Sequence, residues 1–253
     1  VFLKFINNIQ RNGILVVNKD DKNLFELKNK IEKIAEKNKI RIYWYSIQND
    51  KFKKNHIKNK LEKILKIPGE HNISNALAVY TLAKALKIKN KNIFKAIANF
   101  HGTWRRMEYK GALKINGKKP IVNCKIFDDY AHHPTKIKAA LSGFRQKYPK
   151  SKIICVFQPH QLKRLELLFK EFTKSFDIAD ALVLLDVFKV KGREEMSQNK
   201  ISSQIPLSQK LAETIKKRKL VFEVVYLPSP KKLSRILEKI VNTPCKSEFY
   251  PRK

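Results

Sequence analysis

Five consecutive apolar residues, Ala181-Leu182-Val183-Leu184-Leu185, restrict the fold more than any other feature of this chain. A strand wetted on one face alternates apolar and polar residues. A strand with no polar position is covered on both faces, as in the middle of a parallel sheet flanked by helices. Further strands are expected at about 122–128, 152–158 and 220–226, and the 181 strand is expected to run to about 187. Between them lie helical stripes: Ile137, Ala140, Leu141 and Phe144, entered through Pro134; then Leu165, Leu168, Phe169, Phe172 and Phe176; then Leu233, Ile236, Leu237 and Ile240. Strand and helix in alternation predict an α/β domain with a mostly parallel sheet, whose ligands sit at the carboxyl ends of the strands.

The first hundred residues repeat the rhythm more weakly. Phe2 to Ile6 reads as the end of a helix. Ile14-Leu15-Val16-Val17 is a short buried strand, Leu24 to Ala35 a helix, and Arg41 to Tyr45 the next strand. After a polar stretch from Asp50 to Asn59 come helices over Ile73 to Leu86 and about Asn92 to Phe100. His101-Gly102-Thr103 is the expected joint, which divides the chain into domains 1–101 and 102–253.

Composition narrows the function classes. No apolar run approaches the roughly 18–20 residues that span a bilayer, and no export signal opens the chain. Cys124, Cys155 and Cys245 form neither a disulfide framework nor a zinc pattern, so a cytoplasmic location is expected. The net charge of +33 would suit nucleic acid. It comes from 45 lysines against 10 arginines, spread along a chain also rich in Asn and Ile, which is the mark of a general lysine bias.

Four polar clusters stand where elements begin or end. Pro68-Gly69-Glu70-His71-Asn72-Ile73-Ser74-Asn75 opens a helix with amides and an imidazole suited to a phosphate or a base edge. The plainer reading is capping by Asn72 or Ser74. Trp104-Arg105-Arg106-Met107-Glu108 brings two guanidinium groups to the joint, for a phosphoryl group or for a salt bridge to Glu108. Asp128-Asp129-Tyr130-Ala131-His132-His133-Pro134-Thr135 packs two acids and two imidazoles at a strand end. The histidines lack a third ligand at sensible spacing, so no metal site is assigned. Phe157-Gln158-Pro159-His160-Gln161-Leu162-Lys163-Arg164 ends another strand.

In order and spacing these clusters resemble the Mur ligase family, through G-x-H-N-x-x-N-A-L-A, F-x-G-x-x-R-R-x-E, D-D-Y-x-H-H-P-T and F-Q-P-H. The likeness runs from about residue 2 to about residue 195. It implies the tail of a parallel-sheet ATP-binding central domain followed by a Rossmann-like C-terminal domain. Within the family, the implied reaction joins L-alanine to UDP-N-acetylmuramate, with ATP and Mg²⁺, through an acyl phosphate. The resemblance places His71 and Asn75 at the adenine, Asn72 beside them in the ATP site, Arg106 or Arg105 at the ATP phosphates, and Asp129 at the ribose. It places Tyr130, His133, His160 and Arg164 on the substrate side, with Arg106, His132 and His133 at the chemistry. A ligase joining a tripeptide to the same sugar nucleotide shares the D-D-[FY]-A-H-H-P-T element. A nucleotide- or nucleic-acid-binding remnant without catalysis is the alternative from another class.

Three departures shape the expectation. No G-x-x-G-K-[ST] loop occurs, and the family's uridine-binding domain and Mg²⁺ ligands are missing, so the chain is expected to be a C-terminal fragment, inactive alone. Gln161 stands where the family usually has Arg, and the glycine-rich closing segment is absent. An incomplete sheet with an open edge should also promote self-association.

Overall fold

A computed structural model describes residues 2–48, 56–115, 122–188, 205–218 and 223–243. Its contacts divide the chain into two units, Val1–Gly102 and Thr103–Lys253.

The first unit is built on two parallel strands, β1 (Ile14–Asn18) and β2 (Arg41–Tyr45), in register from Ile14 opposite Arg41 to Asn18 opposite Tyr45. Helices α1 (Phe2–Asn7), α2 (Lys22–Glu26) and α3 (Lys28–Lys37) accompany them. Leu15 and Val17 of β1 join Ile6, Ile31, Ala35 and Ile40 in one core. The chain turns into β1 at Gly13, where an added Cβ would stand 2.6 Å from Ile9 Cγ2 and 2.7 Å from the Gln10 carbonyl oxygen. Only glycine permits that approach. A second core gathers Leu61 of α4 (His56–Ile64), Ile73, Ala76 and Leu77 of α5 (Glu70–Ala85), and Ile93 and Ile97 of α6 (Asn90–Asn99). Helix α4 occupies part of the stretch read as polar. Its Ile57, Leu61 and Ile64 form the apolar stripe that the intervening lysines and Asn59 obscure. Val79 and Leu82 of α5, and Leu86 just beyond its end, remain exposed.

The second unit holds a parallel sheet in the order β5 (Ile154–Phe157), β6 (Ala181–Leu185), β7 (Glu223–Leu227). Central β6 is buried at every position. Its even residues, Leu182 and Leu184, face a core with Phe157, Leu165, Phe172, Phe176, Leu211 and Ile215. Its odd residues, Ala181, Val183 and Leu185, face Leu227 and Ile240. The two cores are the physical content of the uninterrupted apolar run. Helices α7 (Pro134–Lys147), α8 (Leu162–Leu167), α9 (Phe169–Thr173), α10 (Leu207–Lys217) and α11 (Leu233–Asn242) complete the unit.

Several sequence expectations change in detail. The 122–128 strand forms as β4 (Val122–Asp128), but its partner is an unforeseen β3 (Glu108–Ile115), antiparallel, with a register break between Tyr109 and Gly111. The 165–176 stripe is two helices, because Leu168 leaves helical geometry at ψ 25°. The β5 ladder begins at Ile154, since the Ile153 N–H is taken by the Asp180 carboxylate at 2.7 Å. Residues 220–222 of the last expected strand, and Cys245, lie outside the described residues. Among the described residues, no helix is long and apolar enough to cross a membrane.

Candidate functional site

In the second unit the polar motifs gather at the carboxyl ends of the strands. β4 ends at Asp128, β5 is followed by Gln158-Pro159-His160, and β6 is followed by Asp186-Val187-Phe188. β5 and β6 are parallel and so deliver their following loops to one end; β4 pairs instead with antiparallel β3, and its following turn meets that end where the Tyr130 ring lies 6.4 Å from His160.

The Arg105–Glu108 segment is fastened to the Asp128–Ala131 turn by a dense set of bonds. Arg105 Nε donates to Asp128 Oδ2 at 2.9 Å, and the Arg105 carbonyl accepts the Tyr130 N–H at 2.8 Å. The Met107 N–H donates to Asp129 Oδ2 at 2.9 Å, and the Ala131 N–H donates to Asp129 Oδ1 at 2.8 Å. Arg106 Nη1 lies 3.9 Å from Asp129 Oδ1. Both guanidinium groups approach the Tyr130 ring, with Cζ at 5.1 Å for Arg105 and 5.8 Å for Arg106. Arg105 and Met107 adopt left-handed backbone, φ 53° and 48°. For residues with a Cβ this costs on the order of 1 kcal/mol or more each, and it persists only where surrounding bonds hold it.

Glu108 supplies one of those bonds. Sequence reading offered it as a salt-bridge partner for the arginines. The structure gives its Oε2 to the Arg105 backbone N–H at 2.9 Å and its Oε1 to Lys110 Nζ at 2.7 Å. Lys110, and then the Arg105 N–H, hold the Glu108 carboxyl below the usual carboxylate range.

The two histidines take different roles. The His132 Nδ1 lies 2.8 Å from the Tyr130 carbonyl oxygen, which can only accept, so Nδ1 carries the proton and Nε2 presents a lone pair. Desolvation lowers the His132 pKa from 6.5, and the charges of Arg164, Lys136 and Arg106 push the same way, against the Tyr130 hydrogen bond. The imidazole is therefore neutral at pH 7 and able to take a proton. His133 caps α7 instead: its Nδ1 accepts the Thr135 N–H at 3.4 Å, which leaves Nε2 as the donor. Tyr130 packs edge-on against His132 and His160, with centroids 4.8 and 6.4 Å apart. His160 lies 5.2 Å from the Phe188 ring. Asp186, Phe188 and Tyr226, which the sequence reading did not single out, fix this corner together with Gln158. Tyr226 Oη donates to Asp186 Oδ1 at 2.6 Å, Gln158 Nε2 donates to the Asp186 carbonyl at 3.1 Å, and the Phe188 N–H donates to the Pro159 carbonyl at 2.7 Å. Gln161 stands at the N-cap of α8 without a side-chain cap bond.

The first unit carries the remaining predicted residues. Helix α5 starts after Gly69, whose φ of 106° requires glycine, and neither Asn72 nor Ser74 caps it. Asn72 Nδ2 instead donates back to the Pro68 carbonyl at 2.7 Å. Exposed Asn75 and half-buried His71 are four residues apart and so share one helix face. Beside them, Gln48 Nε2 donates to Glu70 Oε1 at 3.3 Å. Asp20 at the end of β1 accepts the Ile47 N–H at 2.8 Å and the Ser46 hydroxyl. Among the described residues, no group of three His, Cys, Asp or Glu side chains is placed to hold a metal ion.

Residues 1–83 match the Mur ligase middle domain, and residues 105–239 match the Mur ligase domain described as the glutamate ligase domain. UDP-N-acetylmuramate–L-alanine ligase of Clostridium kluyveri is 36% identical over 222 residues, 81% of this chain and 45% of that protein. The ligase of the same name from Clostridium acetobutylicum is 35% identical over 224 residues, with 81% and 45% covered. This chain thus spans about 45% of the length of these relatives. Among solved structures, UDP-N-acetylmuramate-alanine ligase MurC from Thermotoga maritima superposes with a TM-score of 0.51 at 25% identity, over 68% of this chain and 32% of that one. MurF from Acinetobacter baumannii gives 0.59 at 16% identity, over 94% and 48%, a likeness of fold. The chain belongs to the Mur ligase family.

Proposed function

We infer that this chain is the second half of an ATP-dependent ligase that joins L-alanine to UDP-N-acetylmuramate, a step of peptidoglycan synthesis. Residues 1–101 would be the end of its ATP-binding domain and 102–253 its C-terminal domain. The observation that carries the chemistry is the protonation pattern at His132, a neutral imidazole with Nε2 open among cations.

In this reading ATP phosphorylates the lactyl carboxylate, and the amine of L-alanine attacks the acyl phosphate. The attacking ammonium must first lose a proton, and His132 Nε2 accepts it. Arg106 offsets the charge of the phosphoryl group, and the His133 Nε2–H supplies a donor to the tetrahedral oxyanion. Asp129 holds the ribose with the lone pairs left by its two backbone donors, since a carboxylate offers about four acceptor sites. His71 and Asn75 read the adenine, with Asn72 beside them in the ATP site, while Tyr130, His160 and Arg164 hold the substrate. Magnesium would neutralise phosphate charge, but the described residues provide no donor set for it, and no step here depends on it.

The chain has no G-x-x-G-K-[ST] loop, so the backbone cradle for the phosphates has to come from another segment or another chain. The 253-residue chain alone should accordingly show no turnover. The test is phosphate release by the protein in its natural length, with UDP-N-acetylmuramate, ATP and either L-alanine or a tripeptide. Alanine-dependent release supports the reading. Release with tripeptide alone would move the assignment to a murein peptide ligase. Tight DNA binding with a steep salt dependence and no ATP affinity would replace it with the non-catalytic alternative.

A further inference from the structure

We propose that Glu108 is a positioning residue, whose hold on the Arg105 backbone keeps a strained turn closed and so presents Arg106 to a polyphosphate. The proposal rests on the phosphate role given to Arg106 above.

The argument starts from an adjacent pair that the fold treats unequally. Arg105 is committed: its Nε is bonded to Asp128 and its carbonyl to Tyr130, and its guanidinium lies between the Trp104 and Tyr130 rings at 5.5 and 5.1 Å. Arg106 has the looser arrangement, a 3.9 Å contact with Asp129 and a side chain 40% exposed. What separates the two is the backbone. The Arg106 N–H closes a turn onto the Thr103 carbonyl at 3.1 Å, φ is positive at Arg105 and again at Met107, and Arg106 meets Asp129 where Arg105 meets Asp128. Neither left-handed residue is a glycine, so the turn opens unless it is held. The turn is held by two backbone–backbone bonds, Arg106 N–H to the Thr103 carbonyl and Tyr130 N–H to the Arg105 carbonyl, and by two side chains that accept its amides, Asp129 from Met107 and Glu108 from Arg105. Asp129 is assigned to the ligand, which leaves Glu108, its other oxygen on Lys110, as the side chain that holds a backbone amide of the turn without a ligand role.

Charge and geometry predict opposite outcomes, which makes the proposal testable. Removing a carboxylate beside an anion site should tighten anion binding if Glu108 acts only through its charge. It should weaken binding if Glu108 acts by holding the turn. The probe is sodium tripolyphosphate added to the ¹⁵N-labelled chain at about 0.15 M salt. Binding is read at the Arg106 Nε–H resonance, because a chain of net charge +33 binds polyanions at many lysines.

The Arg106 signal should move on titration and the Arg105 signal should stay. Glu108→Ala should raise the apparent Kd read at Arg106 at least fivefold. Glu108→Asp keeps the charge but withdraws the oxygen by one methylene, and should do the same. Glu108→Gln loses the charge but keeps an acceptor for the Arg105 N–H, and should stay within twofold of the parent. Adding Met107→Gly to Glu108→Ala removes strain at one left-handed residue and should recover at least half of the loss. Unchanged or tighter binding in both Glu108→Ala and Glu108→Asp, with binding lost in Arg106→Ala, overturns the positioning role and leaves the phosphate site standing. Unchanged binding in Arg106→Ala overturns the phosphate role itself.

Discussion

Arg145 organises the amino-terminal edge of the second unit's sheet, and its removal should strongly destabilise that unit. Its Nη1 donates to the carbonyls of Tyr148, Pro149 and Ser151 at 3.5, 3.3 and 2.7 Å. Its Nη2 reaches the Ile178 carbonyl at 3.3 Å and Asp180 Oδ2 at 2.5 Å. The two charged side chains are only 16% and 12% exposed. Breaking a buried pair from one side typically costs about 3–5 kcal/mol, because the remaining charge stays desolvated. In Arg145→Met, Asp180 keeps the Ile153 N–H and some solvent, and the substitution also removes a buried Nε that has no partner. The lower end, about 3 kcal/mol, is therefore expected. For a unit of this size that is roughly 6–12 °C of melting temperature and a large part of a domain's usual stability. Asp180→Asn keeps an acceptor for Ile153 and should cost about half as much, with a coupling of roughly 1–2 kcal/mol in the double variant. Hydrogen exchange of the β6 amides, followed by mass spectrometry in a urea series, reads this unit without interference from the other. A loss below about 1 kcal/mol in Arg145→Met, or no coupling to Asp180→Asn, would refute the hub.

Four further outcomes are expected. His132 should titrate below 6.5 by NMR. Since its folded value lies under its unfolded one, stability should rise with pH between the folded value and about 6.5, and a titration above 6.5 would contradict the desolvated site. Glu108 should stay ionised below the usual range, so its contribution is present above about 4.3 and is lost as pH falls through the depressed folded value. A carboxyl carbon titration at or above 4.3 would count against its bonds to Lys110 and Arg105. Burial lifts the Cys155 thiol to about 12, so roughly one molecule in ten thousand is thiolate at pH 8. Iodoacetamide should leave Cys155 unmodified until urea is added, and rapid native labelling would contradict this. Among the described residues β1 pairs with β2 alone, and Val79 and Leu82 of α5 are 55% and 40% exposed. The isolated chain should therefore self-associate, and a clean monomer in sedimentation velocity would argue otherwise.

The legible parts of the fold are those where burial leaves only one kind of residue. β6 is unmistakable because both of its faces meet a core. β3 is hidden for the opposite reason. Lys110 and Lys114 interrupt it, Gly111 sits at its register break with φ 137°, and Tyr109 and Leu113 are exposed, so it is a weakly patterned strand held by pairing. α10 had a signal, with Leu211, Ala212 and Ile215 buried at helical spacing, but a fully buried Ser208 breaks the apolar stripe. The Leu165 to Phe176 stripe kept its buried residues while the helix beneath it broke at Leu168. Periodicity reports which residues face the core and says less about the backbone between them.

The site was legible as a set of residue types, and its division of labour was not, for a reason visible in three doublets. Asp128-Asp129, Arg105-Arg106 and His132-His133 each place two identical side chains side by side, and composition cannot rank the members. In the folded chain the two members of each doublet meet different partners. Asp128 is paired with the Arg105 guanidinium, while Asp129 takes two backbone amides. Arg105 becomes a strut and Arg106 stays half-exposed. A carbonyl leaves His132 Nε2 as an acceptor, and an amide leaves His133 Nε2 as a donor. In each doublet the discriminating partner is a backbone group or another doublet's member. A substitution that moves the backbone of Arg105 or Tyr130 should therefore disturb all three doublets together, which makes the site respond as one unit.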